Sequence, residues 1–329
     1  MNHRYGIAFR SCIAIAFCLT ICFLGIPVVF AGEGYGTHVP IGAEDFMAGA
    51  LPPGGTKVFI NYFQLYNPNK LKDNAGRNQS VPGLGKLDAK TDVVANCFRF
   101  IDVTKIKLLG GDLIWDIIVP VVYQHTNLSA GPADLAIGNK TGLGDVEGGV
   151  GISWHPSPTF HNILALHAVA PTGSYQKGDD VNIGRNYWSF NPLWLATYIG
   201  GKDSPLPGFE VSAKFMYWVN TTNTATHYTS GQEFSIDYLI GQHFGKTWSF
   251  GANGNFYYQL TKDKEHGHTA LDPFSGKKTG VQGRSLSIGP ALQYNFPNQG
   301  CLTAKYQFEV DAHNRPLGNL FWLKLVWPF

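Results

Sequence analysis

From residue 56 to the end of the chain, apolar and polar side chains alternate in short runs. The last of them, FWLKLVWPF, sets Phe321, Leu323, Leu325, Trp327 and Phe329 on one face of an extended strand and Trp322, Lys324, Val326 and Pro328 on the other. LTAKYQFEV at 302–310 and EFSIDYLI at 233–240 repeat the pattern. There are about twelve such runs, near 56–66, 88–101, 111–125, 143–154, 160–171, 186–199, 208–220, 231–243, 247–260, 283–296, 301–311 and 319–329. Connections after odd-numbered runs are mostly long, at 67–87, 126–142, 172–185 and 261–282, with shorter ones at 221–230 and 312–318. After even-numbered runs they are mostly short, at 155–159, 244–248 and 297–300. Long and short connections therefore gather at opposite ends of an antiparallel array, and an even strand count puts both chain ends at the short-turn end.

Each apolar stripe must meet a second sheet or lipid. Charge is nearly excluded from the stripes, as lipid contact demands, since an outward Lys or Arg at the bilayer midplane costs about 2–4 kcal/mol. Arg99 is the clearest exception and is expected to reach the headgroups from a strand end. Aromatic residues collect at strand ends, among them Tyr123, Trp154, Tyr217, Trp248, Phe296, Trp327 and Phe329, as interfacial girdles require. A soluble β-sandwich, which also buries one face and wets the other and whose core is also rich in aromatics, is the alternative. The fold class predicted is all-β: an antiparallel transmembrane β-barrel of about twelve strands, residues 56–329. Composition agrees, with 15% charged and 14% aromatic residues and 39 glycines among 329 residues. A mean hydropathy of −0.08 excludes a helical membrane bundle. The net charge of +2 gives no reason to expect nucleic acid as a partner.

Residues 1–31 read as an export signal: a basic start at His3, Arg4 and Arg10, an apolar stretch, and a cleavage site after Ala31. An uncleaved helical anchor is the alternative. Three of the five cysteines lie in that segment, leaving Cys97 and Cys301. On a closed barrel two strands separate these, roughly 15 Å at ~4.8 Å per strand, too far for a disulfide. Residues 32–55 precede the first strand. Ala43, Phe46, Met47 and Leu51 stand there at near-helical spacing before Pro52-Pro53. A lumen of about twelve strands admits a short helix, so Phe46, Met47 and Leu51 are plug candidates.

The polar stripes assign Lys57, Asp88, Lys90, Asp92, Asp112, Asp116, Asp145, Glu147, Glu210, Lys214, Glu233, Asp237, Lys305, Glu309 and Lys324 to the lumen, where opposite charges on neighbouring strands can satisfy one another. Acidic groups outnumber basic ones, which favours a mild cation preference. Phe59, Phe63, Met216, Trp218, Tyr257 and Trp322 also fall in the inward phase, where they can guide a greasy solute or pack against a plug. No phosphate loop, nucleophile elbow or zinc-protease helix appears. Asp263, Glu265, His266 and His268 read as a solvated loop rather than a metal site. No cofactor, metal or catalytic residue is expected.

Several stretches together resemble the family named for the meta-pathway of phenol degradation: GTHVPIGAEDFMAGALPP (37–53), GLGDVEGG (142–149), APTGSY (170–175), NIGRNYW (182–188), SGQEFSIDY (230–238), LTAKYQFE (302–309) and FWLKLVWPF (321–329). They span nearly the whole chain after residue 31. The resemblance implies an exported protein of the Gram-negative outer membrane, and a C-terminal strand ending in Phe329 that the barrel-assembly machinery recognises. The function expected is passive uptake of small hydrophobic or aromatic compounds, linked to aromatic catabolism. A barrel hydrolase of lipids or esters and a non-transporting structural barrel are the alternatives.

Overall fold

The computed structural model describes residues 36–297 and 300–329; the expected export signal lies outside these. The strands of the barrel wall are β1 (Thr56–Tyr66), β2 (Gly85–Leu108), β3 (Gly111–Ala130), β4 (Ala133–Leu143), β5 (Val146–Ser157), β6 (Phe160–Ala170), β7 (Ser189–Ile199), β8 (Phe209–Asn220), β9 (Glu233–Phe244), β10 (Trp248–Gln259), β11 (Arg284–Asn295), β12 (Cys301–His313) and β13 (Asn319–Pro328), with short two-residue strands in the loops beside them. Each pairs antiparallel with its neighbours. β1 joins both β2 and β13, running from Val58↔Pro328 to Tyr66↔Leu320 along the seam. The result is a closed antiparallel 12-strand barrel, because β4 and β5 together fill one place along β3. They are divided at Gly144 and Asp145, opposite Pro120, which has no N–H to give the ladder. The Gly144 N–H instead donates to the Pro120 carbonyl (2.9 Å).

The outer surface carries exposed Val94, Phe98, Trp115, Leu164, Trp194 and Ile240. Exposed apolar area on this scale, wrapped round a cylinder, is what hydrocarbon requires. At the short-turn end the rings of Trp248, Tyr294, Phe296 and Trp327 touch in sequence (4.8, 5.4 and 6.2 Å between centroids), and Phe329, Phe100 and Trp115 continue the rim. The terminal phenylalanine is thus part of the girdle.

Two features differ from the sequence reading. Residues 126–142, expected to form an outer loop, are strand: β3 runs to Ala130, turns at Gly131 (φ 55°) and returns as β4. With β2 they form a hairpin extending beyond the apolar belt, where no lipid-facing stripe is needed and the alternation therefore fades. The face of β2 is also reversed. Leu87, Ala89, Ala95, Ile101 and Val103 are buried, whereas Asp88, Lys90 and Asp92 are exposed on the outer surface. Charges at that height escape the lipid penalty, so their sign of face was misleading. Lys57, at the opposite rim, is exposed as well.

The long-loop end is capped. Leu87, Ala89, Leu128 and Ala130 on the hairpin pack with Leu71, Tyr228, Ala270 and Val281 from the loops. Asp263, expected in a solvated loop, is buried; it accepts hydrogen bonds from the Tyr228 hydroxyl, the Gly231 N–H and the Gln259 amide, each at 2.6 Å. Cys97 and Cys301 are free thiols on β2 and β12, with β1 and β13 between them.

Candidate functional site: a segment held inside the barrel

Residues 36–55 run through the ring of strands before β1 begins. They form no helix; in one turn Ala50 N–H donates to the Met47 carbonyl, with Met47 at φ 55°. The wall supplies the partners a helix would have supplied. Gly42 and Glu44 N–H groups donate to the Asp237 carboxylate on β9 (2.7 and 3.1 Å). Met47 N–H donates to Glu210 on β8 (2.5 Å), and Gly49 N–H to the Thr197 hydroxyl on β7 (2.9 Å). On β12, Lys305 Nζ donates to the carbonyls of Ala43 and Glu44 (2.6 and 3.0 Å). His38 bridges Ser189 and Asp145, at the division between β4 and β5 (2.6 and 2.7 Å).

At the centre sit two adjacent carboxylates, Glu44 and Asp45. Glu44 lies 3.1 Å from Arg99, 3.7 Å from Lys324 and 3.9 Å from Lys214, and the Tyr62 hydroxyl donates to it (3.2 Å). Asp45 pairs with Lys305 (3.1 Å) and closely with Lys324. Burial alone would raise the Glu44 carboxyl, but Lys324, Lys214, Arg99 and Lys305 outweigh it and hold the group at about 2, against an ordinary 4.5.

Behind Arg99 the wall continues the network. Its guanidinium donates to Asp116 on β3 (2.6 Å), and His167 on β6 bridges Asp116 (3.2 Å) and Glu147 (2.7 Å). His167 reaches across β5 because Gly149 lies opposite both residues in register; a Cβ there would stand 2.1 Å from the imidazole. Arg99, expected among lipid headgroups, therefore points inward as the hub of the layer.

Below the segment, towards the short-turn end, is a cavity of about 710 Å³. Ile60, Ile101, Ile114, Ile163, Leu193 and Leu195 give it apolar walls, and Glu44, Arg99 and Lys324 lie at its head. Phe46 is buried against Leu239 and Ala291, Leu51 is half-buried on the cavity wall, and Met47 is 41% exposed. Above the segment the lumen is filled by buried Met216, Trp218, Tyr257 and Trp322. The Arg315 guanidinium lies over the Tyr257 ring (4.1 Å). The indole N–H groups of Trp218 and Trp322 have no hydrogen-bond partner among the described residues.

The structure turns most of the anticipated lumen residues inward, but into four separate places. Asp116, Glu147, Glu210, Lys214, Asp237, Lys305 and Lys324 surround residues 42–49. Glu233 and Glu309 lie near the loops: Asn220 donates to Glu233 (2.8 Å), while Tyr66 and the Gly318 N–H donate to Glu309 (2.9 and 2.7 Å). Asp112, beside Lys107 (2.6 Å), marks the short-turn rim, and Asp145 the wall division. Phe59 and Phe63 are corrected. Val58, Ile60, Tyr62 and Gln64 take the inner face of β1, and Phe59 stacks on outward Phe98 (6.4 Å). Both faces of β1 are apolar there, one against the cavity and one against lipid, so periodicity could not assign them. Sequence reasoning missed Glu44, Asp45, Arg99 and His167; two carboxylates side by side in a short apolar segment were the available signal for the first two.

The profile of the family described as "Putative MetA-pathway of phenol degradation" matches residues 69–325. Among solved structures, the chain resembles an outer membrane channel from Pseudomonas putida F1, with 14% identity, a TM-score of 0.67, and 87% of this chain and 99% of that one covered. It also aligns with the translocator domain of the autotransporter NalP from Neisseria meningitidis (11% identity, TM-score 0.41, 84% and 89% covered) and with a Pseudomonas aeruginosa FadL homologue (10%, 0.35, 91% and 96%). No curated protein matches the chain in sequence.

Proposed function

The chain belongs to the family of the putative MetA-pathway of phenol degradation, and on that footing we propose that it is a passive channel of the Gram-negative outer membrane for small hydrophobic or aromatic compounds. In this reading residues 1–31 are removed on export, residues 32–55 plug the lumen, and residues 56–329 form the barrel. The short turns face the periplasm. Lipid covers the apolar belt, and the β13 strand with Phe329 presents the barrel to its assembly machinery.

The observation that carries the proposal is the 710 Å³ apolar-walled cavity inside the cylinder, roofed by a segment that polar contacts hold in place. Such a volume suits one small ring compound. The channel-lining groups are the central ring round residues 42–49 together with Trp218, Tyr257, Trp322, Glu233 and Glu309 above it. No bond-breaking role is assigned to any of them. Uptake of benzyl alcohol or phenol into vesicles holding the purified protein tests the reading. Influx above protein-free vesicles supports it; influx equal to theirs refutes it. Ester hydrolysis that a serine-directed inhibitor abolishes would make the barrel an enzyme instead.

A further inference from the structure

We propose that Lys305 and Lys324 form a receptor for the carboxylate of an apolar or aromatic acid, and that such a solute opens the lumen by taking the place of Glu44 and Asp45. This rests on the channel reading above and names the solute class.

The two lysines are neighbours. β12 and β13 pair Thr303 with Lys324 and Lys305 with Trp322, so the ammonium groups lie on a diagonal of one inward face. Both are buried, and their ion-pair partners all belong to the segment: Asp45 for Lys305, Glu44 and Asp45 for Lys324. The other hydrogen bonds of Lys305 also go to that segment, at the Ala43 and Glu44 carbonyls. Arg99 differs, because it keeps Asp116 on the wall, and Lys214 lies opposite Asp237 in register. If residues 42–49 withdraw, Lys305 and Lys324 lose the carboxylates that pair with them and face the opened lumen, with Asp237 on β9 the wall carboxylate that still acts on Lys305; a solute carboxylate can then take the vacated place through charge-assisted hydrogen bonds. The Trp322 ring, 5.5 Å from Lys305, and the cavity headed by Lys324 supply apolar surface beside that charge. An anion with an aromatic or aliphatic body satisfies both. A purely mechanical plug would be held as well by apolar packing; carboxylates on a tethered strap make the contact one that a free carboxylate can exchange.

The test uses the full chain in planar bilayers at pH 7, with benzoate as the acid and benzyl alcohol as its neutral counterpart. Benzoate is expected to raise mean conductance and benzyl alcohol at equal concentration to leave it unchanged. Lys324→Gln should abolish the benzoate response and Lys324→Arg should retain it. Because Lys324→Gln could also disturb folding, Asp45→Asn provides a second route with both lysines intact. Removing one competing carboxylate should lower the half-maximal benzoate concentration about tenfold. Equal responses to benzoate and benzyl alcohol, or a half-maximal concentration unmoved by Asp45→Asn, overturn the proposal. Benzyl alcohol influx into vesicles with a conductance indifferent to benzoate overturns this inference alone; absence of any influx overturns the channel reading beneath it.

Discussion

Replacing Glu44 by glutamine takes one charge from the point where Arg99, Lys214 and Lys324 converge. The docked carboxyl is held at about 2 against an ordinary 4.5, which corresponds to about 3 kcal/mol favouring the charged form when docked. Undocked and solvated, the same side chain gains nothing comparable, so the loss falls on the docked state alone. At 1.4 kcal/mol per tenfold, Glu44→Gln shifts the balance towards the undocked segment by about a hundredfold. The contacts of Gly42, Met47 and Gly49 with Asp237, Glu210 and Thr197 do not depend on that charge, so docking weakens without vanishing. Single-channel recording at pH 7 reads the change as longer and more frequent open intervals. The barrel itself is checked by its heat-dependent mobility shift. A correctly folded Glu44→Gln protein whose open intervals match the parent would refute the ionic latch.

Acid should act at the same point. Because the docked pKa of Glu44 is depressed, its contribution is complete above about 4.5 and lost as pH falls towards about 2; conductance should climb across that window and stay level from pH 5 to 7. Gly149→Ala sets a Cβ against the His167 ring and should free Arg99 from its backing, raising open probability several-fold in the same recordings. Gly289→Ala would bring a Cβ to 1.8 Å from the Tyr306 carbonyl on β12; backbone cannot yield cheaply, so the folded band should melt as if destabilised by about 2 kcal/mol or more. Reversal potentials across a KCl gradient should show a mild cation preference, since Asp112, Asp145 and Glu210 add to the acidic side of the lumen; an anion preference contradicts that reading.

The barrel was legible because lipid imposes a strict rule on one face of every strand. β8, β9, β12 and β13 obey it residue by residue, and the expected boundaries fall within two residues of the observed ones. The rule lapses where lipid ends. Asp88, Lys90 and Asp92 point outward above the belt, and residues 126–142 form a hairpin with no stripe to betray it. It also lapses where both faces are apolar, which hid the orientation of Phe59 and Phe63. Near-helical spacing at 43–51 suggested a helix, yet side chains of distant strands satisfy that backbone. Arg99 was misplaced for a related reason: its partners, Glu44 and Asp116, come from elsewhere in the chain, and no local pattern reveals that they meet.

Deleting residues 37–51 tests most directly whether the segment closes the channel. With the barrel intact by heat-shift assay, single-channel conductance should rise several-fold above that of the full chain. A shortened protein that folds, inserts and conducts no better than its parent would contradict the account.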